Sequence, residues 1–174
     1  TTSLVTRGAP NDCQPLALIN EVESSSGTPG DWIEIYNPNA TALVLDGHVL
    51  RDSDNASTYT LPANTTLAPG AFLVVDESSL GFGLDASDAV RLYRPGGTLL
   101  VDSFTWTTEP PHTYGRCPDG AGALVATAAP TRGAANACIT VSMDIRINEV
   151  ESNGGSPRDW VELTNIGTAP VDLS

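Results

Sequence analysis

Polar and apolar residues alternate along short runs of this chain, with the two-residue period of a strand rather than the longer period of a helix. In Asp31-Trp32-Ile33-Glu34-Ile35-Tyr36-Asn37, Ile33 and Ile35 share one face while Trp32, Glu34 and Tyr36 share the other. The aliphatic pair is assigned to the core, which puts Trp32 on or near the outer face. Residues 16–23, 48–51, 59–61, 72–76, 89–94 and 99–106 form six further β-prone runs. Turn residues separate them, as in Ala68-Pro69-Gly70 and Pro95-Gly96-Gly97. Short strands at this spacing predict an all-β sandwich or barrel. No stretch holds a 3.6-residue period long enough for a substantial helix. Ile19 and Val22 lie three positions apart, so both face inward only if the chain bulges at Asn20-Glu21.

The chain also repeats itself. Ile19-Asn20-Glu21-Val22-Glu23-Ser24 returns as Ile147-Asn148-Glu149-Val150-Glu151-Ser152, and 13 of the 28 positions aligned at that offset are identical. Arg7-Gly8-Ala9-Pro10-Asn11-Asp12-Cys13 returns, at a different offset, as Arg132-Gly133-Ala134-Ala135-Asn136-Ala137-Cys138. Residues 1–13 therefore read as the end of one repeat and 14–138 as a complete one. Residues 139–174 read as a linker and the truncated start of a third, so the chain is a window on a tandem array. Lacking a partner sheet, that start is expected to be disordered or to pair with an exposed strand edge, a route to self-association.

Composition narrows the function. Of 174 residues, 21 are acidic and 8 basic, for a net charge of −13, and every basic residue is arginine. A chain so acidic has no cationic patch for the phosphates of nucleic acid or for an anionic membrane. No apolar run is long enough for a membrane helix. The first ten residues lack the charged start and apolar centre of a leader.

The ordered set of these segments resembles the lamin tail domain, an immunoglobulin-like β-sandwich. Ile19-Asn20-Glu21-Val22 and Asp31–Asn37 carry the resemblance, with Asp46–Asp52, Tyr59–Pro62, Leu67–Val75, Asp88–Tyr93 and Gly97–Asp102 after them. The segment from Tyr114 to Cys138 departs from the pattern and looks like an extension seen in bacterial arrays. The resemblance implies an accessory or interaction module with no catalytic residues to carry over. Bacterial members look like companions of hydrolase or nuclease domains.

Candidate chemistry is sparse. Asp52 and Asp54 sit two apart, as in a calcium loop, but without the glycine and glutamate an EF-hand needs. The favoured reading is a turn held by its own side chains, with calcium as the alternative. Glu21, Glu23 and Asp31 recur as Glu149, Glu151 and Asp159. Such a group could bind metal, although strand-end hydrogen bonding asks for the same residues. Trp32 and Trp106 could form an aromatic platform for sugars, with packing the plainer role. Arg51, Arg91, Arg94 and Arg116 are expected to pair with carboxylates across strands. His48 and His112 have no nucleophile at motif spacing.

Three cysteines remain. Cys13 and Cys138 hold equivalent positions in successive repeats, which argues against their pairing. Cys117–Cys138 is favoured over Cys13–Cys117, because it fastens a segment poor in apolar residues. A disulfide implies an oxidising compartment and fits a secreted or extracellular protein. The expected function is a non-catalytic interaction, adhesion or spacer module, with a protein or polysaccharide surface as partner and no required cofactor. The alternative is a targeting module that holds an attached hydrolase (nuclease, phosphatase or phytase-like) on its substrate or on the cell surface.

Overall fold

The computed structural model describes residues 16–24, 27, 30–139, 144–156, 158–168, 170–171 and 173. Cys13 and the rest of residues 1–13 lie outside the described residues. The chain divides into two compact units, Thr1–Ile139 and Thr140–Ser174.

The first unit is a sandwich of short strands. They are β1 (Leu18–Glu23), β2 (Trp32–Tyr36), β3 (Leu43–Val44), β4 (Val49–Arg51), β5 (Thr58–Thr60), β6 (Thr66–Leu67) and β7 (Phe72–Asp76). After one helical turn, α1 (Glu77–Leu80), come β8 (Asp88–Tyr93), β9 (Leu100–Trp106), β10 (Tyr114–Arg116) and β11 (Leu124–Ala126). One sheet runs β11-β10-β1-β2-β7 and the other β5-β4-β8-β9, with β3 and β6 as a separate pair. All seven β-prone runs of the sequence are strands. The two-residue strands β3 and β6 carry too little alternation to be read in advance.

The register explains the core. β1 pairs with β2 antiparallel, and the register shifts between Ile19 and Glu21. This is the bulge that the spacing of Ile19 and Val22 requires, and both side chains are buried. With Ile33, Ile35 and Val75 they face Leu50, Leu61, Val90, Leu92 and Trp106 in one cluster. Each such aliphatic side chain contributes about 1.5–3 kcal/mol relative to exposure. Asn37, fully buried, organises the turn after β2: its amide donates to the carbonyls of Thr41, Leu67 and Ala68.

The segment after β9 is no loose appendage. β10 pairs with β1 and β11 with β10, so residues 114–126 widen the first sheet. Cys117 and Cys138 form a disulfide with Cα atoms 5.6 Å apart, the pairing favoured above.

The second unit contains β12 (Ile145–Glu151) and β13 (Trp160–Asn165), which pair antiparallel. The register shift between Ile147 and Glu149 repeats the bulge of β1. The sequence reading expected disorder here or pairing with another sheet; instead these strands pair with each other as a hairpin. Its apolar residues stay uncovered: Ile147, Val150, Val161 and Leu163 are exposed. Among the described residues no helix is long and apolar enough to cross a membrane.

Candidate functional site

The bulge in β1 sends Asn20 and Glu21 to the same side of the sheet as Glu23, Trp32 and Glu34. Polar side chains on an outer strand face ordinarily meet water. Here Thr113, the turn at Asp119-Gly120 and residues 131–136 lie against that face, and Asn20, Glu21 and Glu34 are each 0% exposed. Burial of such groups is tolerable only when each finds a partner.

The partners come from the covering strap. Glu34 accepts from the Asn20 amide at 3.0 Å and from the Gly133 backbone N–H at 2.7 Å. Glu21 accepts from the Thr113 hydroxyl at 2.5 Å and from the hydroxyl and backbone N–H of Thr131. Asn20 also donates to Asp119 and accepts from the Gly120 N–H, both at 3.0 Å. Asn136 donates its amide to the carbonyls of Asn20 and Arg116. Burial raises the pKa of Glu21 and pushes Glu34 up to about 7, against the pull of the hydrogen bonds each accepts. The layer is a clamp in which carboxylates hold backbone and hydroxyl donors.

Beyond Glu23 lies a second acidic region. Glu23 is 4% exposed, its Oε2 has no hydrogen-bond partner among the described residues, and burial followed by repulsion from Asp31 and Glu109 raises its pKa to about 7. Asp31 accepts from the Leu84 N–H at 2.5 Å, and its own N–H donates to Glu77 at 3.3 Å. Asp31, Asp76, Glu77 and Phe82 line a cleft of about 610 Å³. Among the described residues no three His, Cys, Asp or Glu side chains converge to hold a metal ion. Of the candidate acids, Glu21 belongs to the clamp, Asp31 lines the cleft, and Glu23 is buried within reach of the Asp31 charge.

Asp52 and Asp54 form successive turns: Asp52 Oδ1 accepts from the Asp54 N–H, and Asp54 Oδ1 from the Ala56 N–H. Trp32 is on the side its alternation assigns, yet the strap covers that side, and it is 2% exposed. Trp106 is 4% exposed and stacks with Phe104 at 5.6 Å. A sugar platform needs an open ring face, which neither indole presents. Of the four arginines expected to meet carboxylates, Arg116 pairs with Asp102 at 2.9 Å. Arg91 instead donates to the Asp52 carbonyl, and Arg51 lies over the Tyr93 ring.

Thr131, Gly133 and Asn136 were not singled out by composition or motif. Their trace in the sequence is the recurrence of Arg7–Cys13 at Arg132–Cys138, which keeps the glycine and the asparagine. The hairpin repeats the other half: the Asn148 amide donates to Glu162 as Asn20 does to Glu34. There Asn148, Glu149 and Glu162 are exposed.

Two packed sheets around an aliphatic core, with acids used as structural acceptors, define an immunoglobulin-like module. The family model of the lamin tail domain matches residues 16–108, over half of the chain, and the chain belongs to that family. Among curated proteins none matches it.

Proposed function

We propose that the chain is a non-catalytic module of a secreted, multi-repeat protein, acting as an interaction, adhesion or spacer unit. The observation that carries this reading is the use made of the buried acids. Glu21 and Glu34, the deepest carboxylates, are occupied by donors from the strap and are not presented to a substrate. Four further features support it. The repeats recur in order, with 1–13, 14–138 and 139–174 as their segments. The linkers are short, which favours a semi-rigid succession of units. The disulfide suits an oxidising compartment outside the cell. The excess of acid keeps nonspecific association low, as befits a spacer or stalk.

Pull-down on insoluble polysaccharides and on whole cell surfaces tests the reading, with broad esterase and phosphatase assays run in parallel. A spacer is retained on none of them. Retention on one polymer assigns adhesion, or the targeting of an attached hydrolase. Turnover by this chain overturns the proposal.

A further inference from the structure

We infer that Arg51, held over Tyr93 on the outer face of the β5-β4-β8-β9 sheet, is the centre of a docking site for a protein partner. The group it takes is an aspartate or glutamate carboxylate flanked by apolar residues. The inference rests on the interaction reading above, and names a surface and the chemistry of its partner.

The register fixes this face. Leu50, Val90 and Leu92 turn to the core and are 0% exposed, so their neighbours along β4 and β8 turn outward. Arg51 stands directly opposite Arg91, with Thr58 beside it on β5 and Ser103 beyond Arg91 on β9. No paired position on this face is acidic, in a chain with 21 acidic residues. Like charges set opposite each other destabilise a ladder. Arg91 is satisfied within the fold, by the Asp52 carbonyl and the Asn55 side chain. Arg51 has no such outlet: among the described residues its guanidinium donates no hydrogen bond and meets no carboxylate.

Its position is nevertheless fixed. The guanidinium carbon lies 5.0 Å from the centroid of the Tyr93 ring, Nε is buried, and a Cβ at Gly97 would stand 2.7 Å from Nη2. A planar fork held on an aromatic ring with its donors unmet suits a planar, bidentate acceptor, and a carboxylate is one.

Charge and neighbours select the kind of partner. The net charge of −13 repels a polymer that carries an anion on every unit. A protein that offers one carboxylate among uncharged or basic residues meets no such barrier. Leu100 pairs with Tyr93 in the ladder and is 45% exposed, and Leu99 before it is 56% exposed. Arginine and tyrosine beside exposed apolar side chains have the composition of an interface hot spot rather than of a glycan platform.

The test is an NMR titration of the whole chain with acetyl-Leu-Glu-Leu-amide and with its glutamine analogue. The glutamate peptide should shift the Arg51 Nε–H and Leu100 methyl signals saturably, binding roughly tenfold more tightly than the glutamine peptide. Arg51→Lys keeps the charge but not the fork and should weaken binding several-fold. Leu100→Ser should weaken it with Arg51 intact, and thermal melts confirm that both variants fold. Equal binding of the two peptides, no shift at millimolar peptide, or binding that survives Arg51→Lys overturns the inference. So does acetate or an oligogalacturonate that binds as tightly as the glutamate peptide, the first marking a bare anion contact and the second a glycan site. A chain retained on a polymer or cell surface while Arg51 responds to none of these probes loses this site alone and keeps the adhesion reading.

Discussion

Gly133 donates its backbone N–H to Glu34 at 2.7 Å, a bond between positions 99 residues apart. Glu34 lies in the middle of β2, on the side turned away from the aliphatic core. Gly133 lies in the strap, at φ +79°, where a side chain would be strained although nothing crowds the site. The bond converts what would be the outer surface of the first sheet into a second, polar interior. Four consequences for stability follow from this construction and one for metal binding.

Asn136→Ala should destabilise the complete unit by about 2–3 kcal/mol, because it strips buried carbonyls of Asn20 and Arg116 of their donor. Thr131→Val should cost less, since the backbone N–H of Thr131 still reaches Glu21. Urea melts of the variants check the order.

Reduction of Cys117–Cys138 should lower stability by about 3 kcal/mol by loop-entropy arithmetic for a separation of 21 residues. The released strap would then expose Glu21 and Glu34. Thermal melts with and without reductant measure the first effect, and hydrogen exchange in β1 and β2 the second.

Asp102 serves two sheets: its Oδ2 accepts from the Ile19 backbone N–H and from Arg116, both at 2.9 Å. Asp102→Ala should therefore cost about 2 kcal/mol or more, by leaving part-buried donors unmet. Asp76→Ala removes the ion pair with Arg132, which is far more exposed, and should cost about 0–1 kcal/mol.

Acidification should stabilise the unit over a defined window. Glu23 and Glu34 titrate near 7 in the fold, against an ordinary value of 4.5. Between those values the native state holds more protons than the unfolded chain, so stability falls as pH rises through the window. The melting temperature should be several degrees higher at about pH 5 than at about pH 8. Glu23→Gln should raise it at the upper pH and flatten the profile, because the amide carries no charge to be buried or repelled by Asp31. An unchanged profile would refute the assignment to Glu23.

Calcium at about millimolar concentration should leave the melting temperature in place. Asp52 and Asp54 already hold backbone N–H groups, and a metal would have to displace them. A clear upward shift would show that it does.

The sequence by itself determined seven of the strands, the inward face of β2 and the bulge in β1. Each of these is local: a two-residue alternation, and a spacing of three between Ile19 and Val22, leave one way to bury both faces of the pattern. It also favoured the pairing of Cys117 with Cys138, which the structure then makes; the equivalence of Cys13 and Cys138 excluded only a bridge between those two. Alternation placed Trp32 and Glu34 on the far side of the sheet, and no local signal could say that this side would be covered. That was decided by tertiary structure. β10 joins the edge of β1, and the disulfide and Asn136 bring the strap back over the face, through contacts about a hundred residues apart in sequence. Burial of a polar face depends on what arrives to satisfy it, and the donors here reside in a segment whose own composition reads as loop.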